Sequence, residues 1–289
     1  MKTLKSKSNQ HLRLILRFLL CSALMHAVVQ AQVTEDDNTT NRPKIVRPES
    51  SDSSSLKLIQ NYLTASGGKK VHNKLQNVKV TGEYREAKDS KNFTLIETFK
   101  GERYLQLNWK LRGIQYEQLY VYDGLEAWQR RTLPDDKKRN LPKAYNGLPA
   151  NHFINQRWFF QPFIPPLSPK YVFEYSGTDK VASRPSYLVV GYGAKNERTW
   201  FYFDKETFLV TRWGGIGAVA RGETYLDYQA KGFKKVDGLF LPTGLTLLAK
   251  GQPYGEVIFE SIETNVEIEP GFFTEPVIQI PTLRTVPSK

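Results

Sequence analysis

Thiols and imidazoles are scarce in this chain. Its 289 residues include one cysteine and four histidines. Cys21 lies in an N-terminal stretch patterned as a secretory signal peptide. Lys2, Lys5, Lys7, Arg13 and Arg17 form a basic region, Phe18 to Val29 an apolar run, and Val29-Gln30-Ala31 a small-residue cleavage site. The run is well short of the ~20 residues that span a bilayer, so residues 1–31 read as a leader cleaved after Ala31, not an anchor. A lipobox needs a small residue before its cysteine, and Leu19 and Leu20 precede this one, so Cys21 leaves with the leader. What remains has no thiol and keeps only His72 and His152. That excludes a disulfide framework, a thiolate nucleophile and a cysteine-bound zinc. The two histidines match neither H-x-x-x-H nor H-E-x-x-H, and no G-x-S-x-G elbow is present. No metal, no cofactor and no catalytic residue is expected.

Acidic residues are also outnumbered, 29 against 41 Lys and Arg. Outside the cytoplasm such an excess suits anionic lipid or polyanionic glycan, not nucleic acid. The densest basic run holds Arg130, Arg131, Lys137, Lys138 and Arg139. It is a candidate contact for lipid headgroups at a membrane periphery or for an envelope protein, with a plain solvated loop as the alternative.

Residues 32–55 are almost devoid of apolar side chains and read as a disordered leader. Residues 56–280 read as a single domain and 281–289 as a tail. Leu56, Ile59, Tyr62 and Leu63 recur at helical spacing behind Ser53–Ser55 as N-caps, and Gly67-Gly68 ends the run. A second short helix is expected over 69–75. From Val78 the period becomes two, with strands over about 78–85, 92–99, 102–109, 114–122, 126–131, 171–175, 185–191, 198–204, 207–213, 221–230, 238–248 and 256–266. Turns are expected at Asp123-Gly124, Asn196-Glu197, Asp204-Lys205, Gly214-Gly215 and Asp237-Gly238. Without helical crossovers these strands are antiparallel neighbours.

Several strands are apolar on both faces, as in Trp200-Phe201-Tyr202-Phe203 and Leu119-Tyr120-Val121-Tyr122. Such strands need cover on both sides. The expected architecture is therefore mainly β (α+β), a curled antiparallel sheet or half-open barrel of about 11 strands, with two or three helices over the open side. Residues 140–170 break the strand rhythm with a helical stretch and a proline-dense run, and they carry a heavy apolar load. The interior is either a ligand cavity, with residues 150–170 as its mobile cover, or a packed core. As a cavity it would be lined by Leu105, Leu107, Trp109, Trp128, Phe153, Trp158, Phe163 and Trp213.

Particular stretches resemble a known group. Tyr122-Asp123-Gly124 with Trp128 is similar to a hairpin of bacterial LolA-like periplasmic proteins, the outer-membrane lipoprotein-sorting group, and Gly101 to Trp109 is similar to the strand before it. Tyr62 to Gly68, Val78 to Gly82, Tyr202-Phe203-Asp204, Val236 to Thr243 and Asn265 to Pro276 follow in the same order. The likeness is nearer to uncharacterised relatives than to the true carrier. It implies a half-open barrel with a helical lid over an apolar cavity, a lipid or lipoprotein acyl chain as guest, and the periplasm of a Gram-negative bacterium as location.

Two other readings stand beside that one. The first is a non-catalytic envelope module with a filled core. The second is a hydrolase using two of Glu97, Glu117, Glu126, Glu223 and Glu256.

Overall fold

The computed structural model describes residues 47–87, 89–132, 140–164, 171–193, 197–219 and 222–276. The expected signal peptide, the first part of the expected leader, Lys137, Lys138, Arg139 and the tail lie outside these residues. Among the described residues, helices α1 (Ser53–Ala65), α2 (Lys69–His72) and α3 (Gly147–Asn155) accompany 15 strands. These are β1 (Asn77–Glu86), β2 (Asp89–Thr98), β3 (Arg103–Leu111), β4 (Ile114–Tyr122), β5 (Ala127–Thr132), β6 (Lys143–Ala144), β7 (Val172–Val181) and β8 (Arg184–Tyr192). β9 (Arg198–Asp204), β10 (Val210–Val219), β11 (Gly222–Ala230), β12 (Phe233–Val236), β13 (Leu239–Pro242), β14 (Gly244–Ala249) and β15 (Gln252–Thr264) complete the set.

Thirteen strands form one antiparallel sheet in the order β6-β5-β4-β3-β2-β1-β15-β14-β11-β10-β9-β8-β7, and β12-β13 is a separate hairpin. The strand count exceeds the expected one because β6 and β12 were not anticipated and the 238–248 run divides at Pro242-Thr243. Pro242 has no N–H to continue a ladder. Asp237 and Gly238, both at positive φ, turn the chain between β12 and β13 as expected.

Aromatic contacts require the sheet to curl. Trp158 packs on Phe93 of β2 at 5.9 Å, and Phe163 packs on Phe173 of β7 at 6.0 Å. In a flat sheet β2 and β7 would lie about 38 Å apart at ~4.8 Å per strand. Five residues of chain reach at most about 18 Å. The face carrying Phe93 and Phe173 is therefore concave, as its half-barrel reading requires. The main core fills that face, drawing Val80, Phe93, Leu107, Phe173, Val189, Phe201, Phe203, Leu245 and Val257 from the strands. A smaller cluster of Ile96, Leu119, Val121, Trp128 and Phe273 lies on the other face.

One edge of the sheet is closed by the start of α1. Asp52 caps that helix by accepting from the Ser55 N–H at 2.9 Å. Its other carboxylate oxygen accepts from the Tyr175 N–H at 2.6 Å, its own N–H donates to the Phe173 carbonyl at 3.1 Å, and Ser51 Oγ accepts from the Phe173 N–H at 2.9 Å. The cap is thus Asp52, not Ser53–Ser55, and the helix begins inside the stretch read as leader. Ser55 is buried, with its hydroxyl donating to the Phe173 carbonyl at 3.0 Å. Leu58, Ile59 and Leu63 form the buried stripe of α1, and Leu56 is left exposed.

The expected turn at Gly214-Gly215 is corrected. Both residues lie inside β10, paired with Asp227 and Leu226 of β11. The glycines serve close approach: a Cβ on Gly215 would collide with the Gln156 side chain, and one on Gly217 would stand 3.0 Å from His152 Nδ1. Their bare backbone lets α3 lie directly on the strand.

Candidate ligand-binding interior

The chain leaves α3 as an irregular segment, residues 156–164, that carries Trp158, Phe159, Phe160, Phe163 and Ile164 into the concave face, all of them buried. Phe163 is fully enclosed by Tyr62, Phe173, Phe201 and Phe203, with centroid distances of 4.9–6.0 Å. Trp158 stacks on Phe259 at 5.7 Å and meets Tyr228 at 6.1 Å. In this state the curl is occupied by the chain's own rings.

An irregular segment cannot satisfy its own backbone N–H groups, and burying them unpaired is costly. Glu97, fully buried at the end of β2, resolves this. Its carboxylate accepts from the N–H groups of Trp158 at 2.9 Å, Phe159 at 2.9 Å and Phe160 at 3.4 Å. Arg103, paired directly across on β3, places Nε 3.1 Å from the same carboxylate. Its Nη1 donates to the carbonyls of Phe153 and of Gln156, the latter at 3.2 Å, two acceptors at the C-terminal end of α3. Arg157 approaches the carboxylate to 3.9 Å and donates to the Thr98 carbonyl. Burial pulls the Arg157 guanidinium down to about 10, with Glu97 opposing. One carboxylate and two arginines therefore hold both the helix and the aromatic segment to the sheet.

Next to this knot, His152 Nε2 lies 2.9 Å from Tyr228 Oη, and Gln156 Nε2 donates to Thr199 Oγ1 at 3.2 Å. Burial, with Arg103 nearby, holds His152 down to about 4. His72 is likewise lowered to about 4 by burial, with Nε2 2.7 Å from Ser66 Oγ.

Leu107, Trp158, Phe163 and Trp213 lie in the main cluster, and Leu105 and Trp109 pack against it. Phe153 sits beside Tyr120 and Tyr145, under the Arg103 guanidinium. Trp128 is not among them. It stands on the opposite face, its indole N–H donating to the Phe273 carbonyl at 3.1 Å, because it pairs with Val121, which points away from the interior. Arg130 is bound to Glu117 at 2.9 Å, and Arg131 lies over Trp109 at 5.9 Å, itself stacked on Tyr116.

The five glutamates weighed as a hydrolytic pair do not converge. Glu97 faces inward, Glu117 serves Arg130, Glu256 serves Lys231 and Arg85, and Glu126 and Glu223 are exposed. Among the described residues no group of three His, Cys, Asp or Glu side chains is arranged to hold a metal, and no helix is long and apolar enough to cross a membrane. Sequence reasoning weighed Glu97 only as an acid and passed over Arg103. The signal was present, since both stand in the inward register of otherwise apolar strands.

Solved structures similar to this chain include the following three. A domain named for outer-membrane lipoprotein sorting from Vibrio parahaemolyticus has 12% identity over 76% of this chain and 96% of that one, at a TM-score of 0.49. A DUF1329 family protein from Desulfovibrio piger gives the same values. A LolA superfamily protein from Nitrosomonas europaea has 10% identity over 76% and 97%, at a TM-score of 0.47. No family model and no curated protein matches the chain.

Proposed function

We propose that this protein is a non-catalytic periplasmic carrier or binding protein for an acyl chain, whose guest takes the place of the 156–164 segment inside the curled sheet. The observation that carries this reading is the attachment of that segment. Its rings fill the concave face, yet it belongs to no strand or helix there, and it is held through one polar knot around Glu97. A core built only for stability has little use for a buried ion pair, which often stabilises less than apolar packing would.

Magnitudes favour an exchange. Withdrawing Trp158, Phe159, Phe160 and Phe163 forfeits about 1.5–3 kcal/mol each, or roughly 6–12 kcal/mol together. A guest chain of about 16 carbons regains about 13 kcal/mol at ~0.8 kcal/mol per CH₂. Near balance is what uptake and release require. The resemblance in sequence points to the same guest, a lipid or lipoprotein acyl chain, and the leader-like N-terminus points to the periplasm.

A second reading, an envelope interaction module with a permanently filled interior, is favoured by the complete enclosure of Phe163. One experiment separates the two. The purified protein is titrated with a fluorescent fatty-acyl probe while hydrogen exchange is followed along the chain. A carrier takes up the probe, and amides 156–164 exchange faster when it is bound. Absence of uptake together with continued protection of those amides leaves only the module.

A further inference from the structure

We infer that the end of the molecule formed by α2 and the β12-β13 hairpin is a docking surface for an anionic lipid bilayer. It is distinct from the interior and does not rest on the carrier reading. The two elements are clamped together: the Phe240 N–H donates to the Ser66 carbonyl at 2.9 Å, and Val71 packs over Gly238. Between them lies a surface depression of about 280 Å³, lined by Lys70, Lys74, Val71, Leu75, Leu239 and the Asp237–Thr264 pair, with Asn265 at its rim. Asp237 is its single acidic residue, and it accepts from Thr264 Oγ1 at 2.6 Å.

Charge sets the partner. Lys69 and Lys70 on α2, Lys74 just after it, and Lys234 and Lys235 on β12 are all exposed, and among the described residues none forms an ion pair. Some lysines elsewhere are neutralised, as with Lys79 on Glu263 and Lys231 on Glu256, but the exposed Lys110 and Lys180 stand on different strands and form no such cluster. Phe240 stands directly across from Lys235 and is 39% exposed. An exposed aromatic ring beside an unpaired lysine, on a hairpin whose end carries further lysines, suits the boundary of headgroups and acyl chains, where the ring enters the boundary and the ammonium groups meet phosphate. A small inorganic anion gives Phe240 nothing to enter.

Each lysine near an anionic leaflet contributes about fivefold in affinity. The test uses the purified protein with vesicles of phosphatidylcholine alone or with about a quarter phosphatidylglycerol, at physiological ionic strength. Binding to the anionic vesicles only is expected. Reversing Lys70, Lys74, Lys234 and Lys235 to Glu should lower that affinity by more than a hundredfold. Reversing the equally exposed Lys57, Lys100, Lys110 and Lys180 should lower it less than tenfold. Thermal melting of both variants verifies folding. If the patch variant does not fold, Phe240→Ser with Lys235→Gln replaces it, with a loss above tenfold expected. Equal losses in the two reversed variants would show diffuse net charge and overturn the proposal. No binding to anionic vesicles would also overturn it, as would displacement by inorganic phosphate but not by chloride of equal ionic strength.

Discussion

Replacing Glu97 by Gln tests the knot that holds the aromatic segment. The substitution keeps size and shape but removes the charge that faces Arg103, which is only 3% exposed, and turns an amide NH₂ toward the N–H groups of Trp158, Phe159 and Phe160. Breaking a buried pair from one side leaves an uncompensated charge and costs about 3–5 kcal/mol. In a domain of this size that is a fall in Tm of roughly 6–20 °C. Adding Arg103→Met removes the orphaned charge together with the donors to the Phe153 and Gln156 carbonyls, so the loss in the double variant should be smaller than the sum of the two single losses. Urea unfolding measures the free energies, and hydrogen exchange reads amides 158–160, which should lose protection ahead of the strands. If Glu97→Gln stays within about 1 kcal/mol of the parent and those amides exchange at the parental rate, the carboxylate is not the anchor.

Two further outcomes follow from the packing. Burial holds His72 and His152 at about 4 in the folded protein, against an ordinary value of 6.5. Below pH 6.5 the unfolded chain binds protons that the folded one refuses. Stability is therefore complete above pH 6.5 and declines toward pH 4, by up to about 2.7 kcal/mol per pH unit for the two sites. Urea midpoints across that window should fall in the parent and flatten in the His72→Gln/His152→Gln variant, and a flat parental profile would contradict the assignment. At the register shift between Thr81 and Gly82, a Cβ on Gly82 would collide with the Ile258 carbonyl of the neighbouring strand. Gly82→Ala should therefore cost about 1–3 kcal/mol or more by overpacking. At Gly232 the nearest atom is a mobile Thr243 hydroxyl at 3.2 Å, so Gly232→Ala should cost under about 1 kcal/mol in the same denaturation assay.

The architecture was legible in the sequence to the extent that one residue's neighbours decide it. Alternation from Val78 onward, and turn chemistry at Asp123-Gly124 and Asp237-Gly238, placed the strands because side-chain period and positive φ are local properties. Apolar runs on both faces found cover on two sides at 119–121, where Phe273 packs on the outer face, whereas at 200–203 Trp200 and Tyr202 stay half-buried on that face. Gly214-Gly215 misled because local turn chemistry and close packing ask for the same residue, and only the position of α3 separates them. Trp128 misled in a related way: its strand is read equally well on either face until the 266–276 segment is seen to supply its cover. The Glu97–Arg103 knot was visible as charges in an inward register. Its purpose was not, because the amides it satisfies come from a segment about 60 residues further along that has no period to read.

The position of β1 in the sheet has a consequence for how the polypeptide comes together. Its outer neighbour is β15, and the Asn77 side-chain amide exchanges two hydrogen bonds with the Val266 backbone across 189 residues. The first strand made must wait for the last, and neither half can close without the other. Such a seam joins late and slowly, so a nascent chain stays open and sticky until its final strand is available. A chaperone that keeps it apart need only mask β1 or β15.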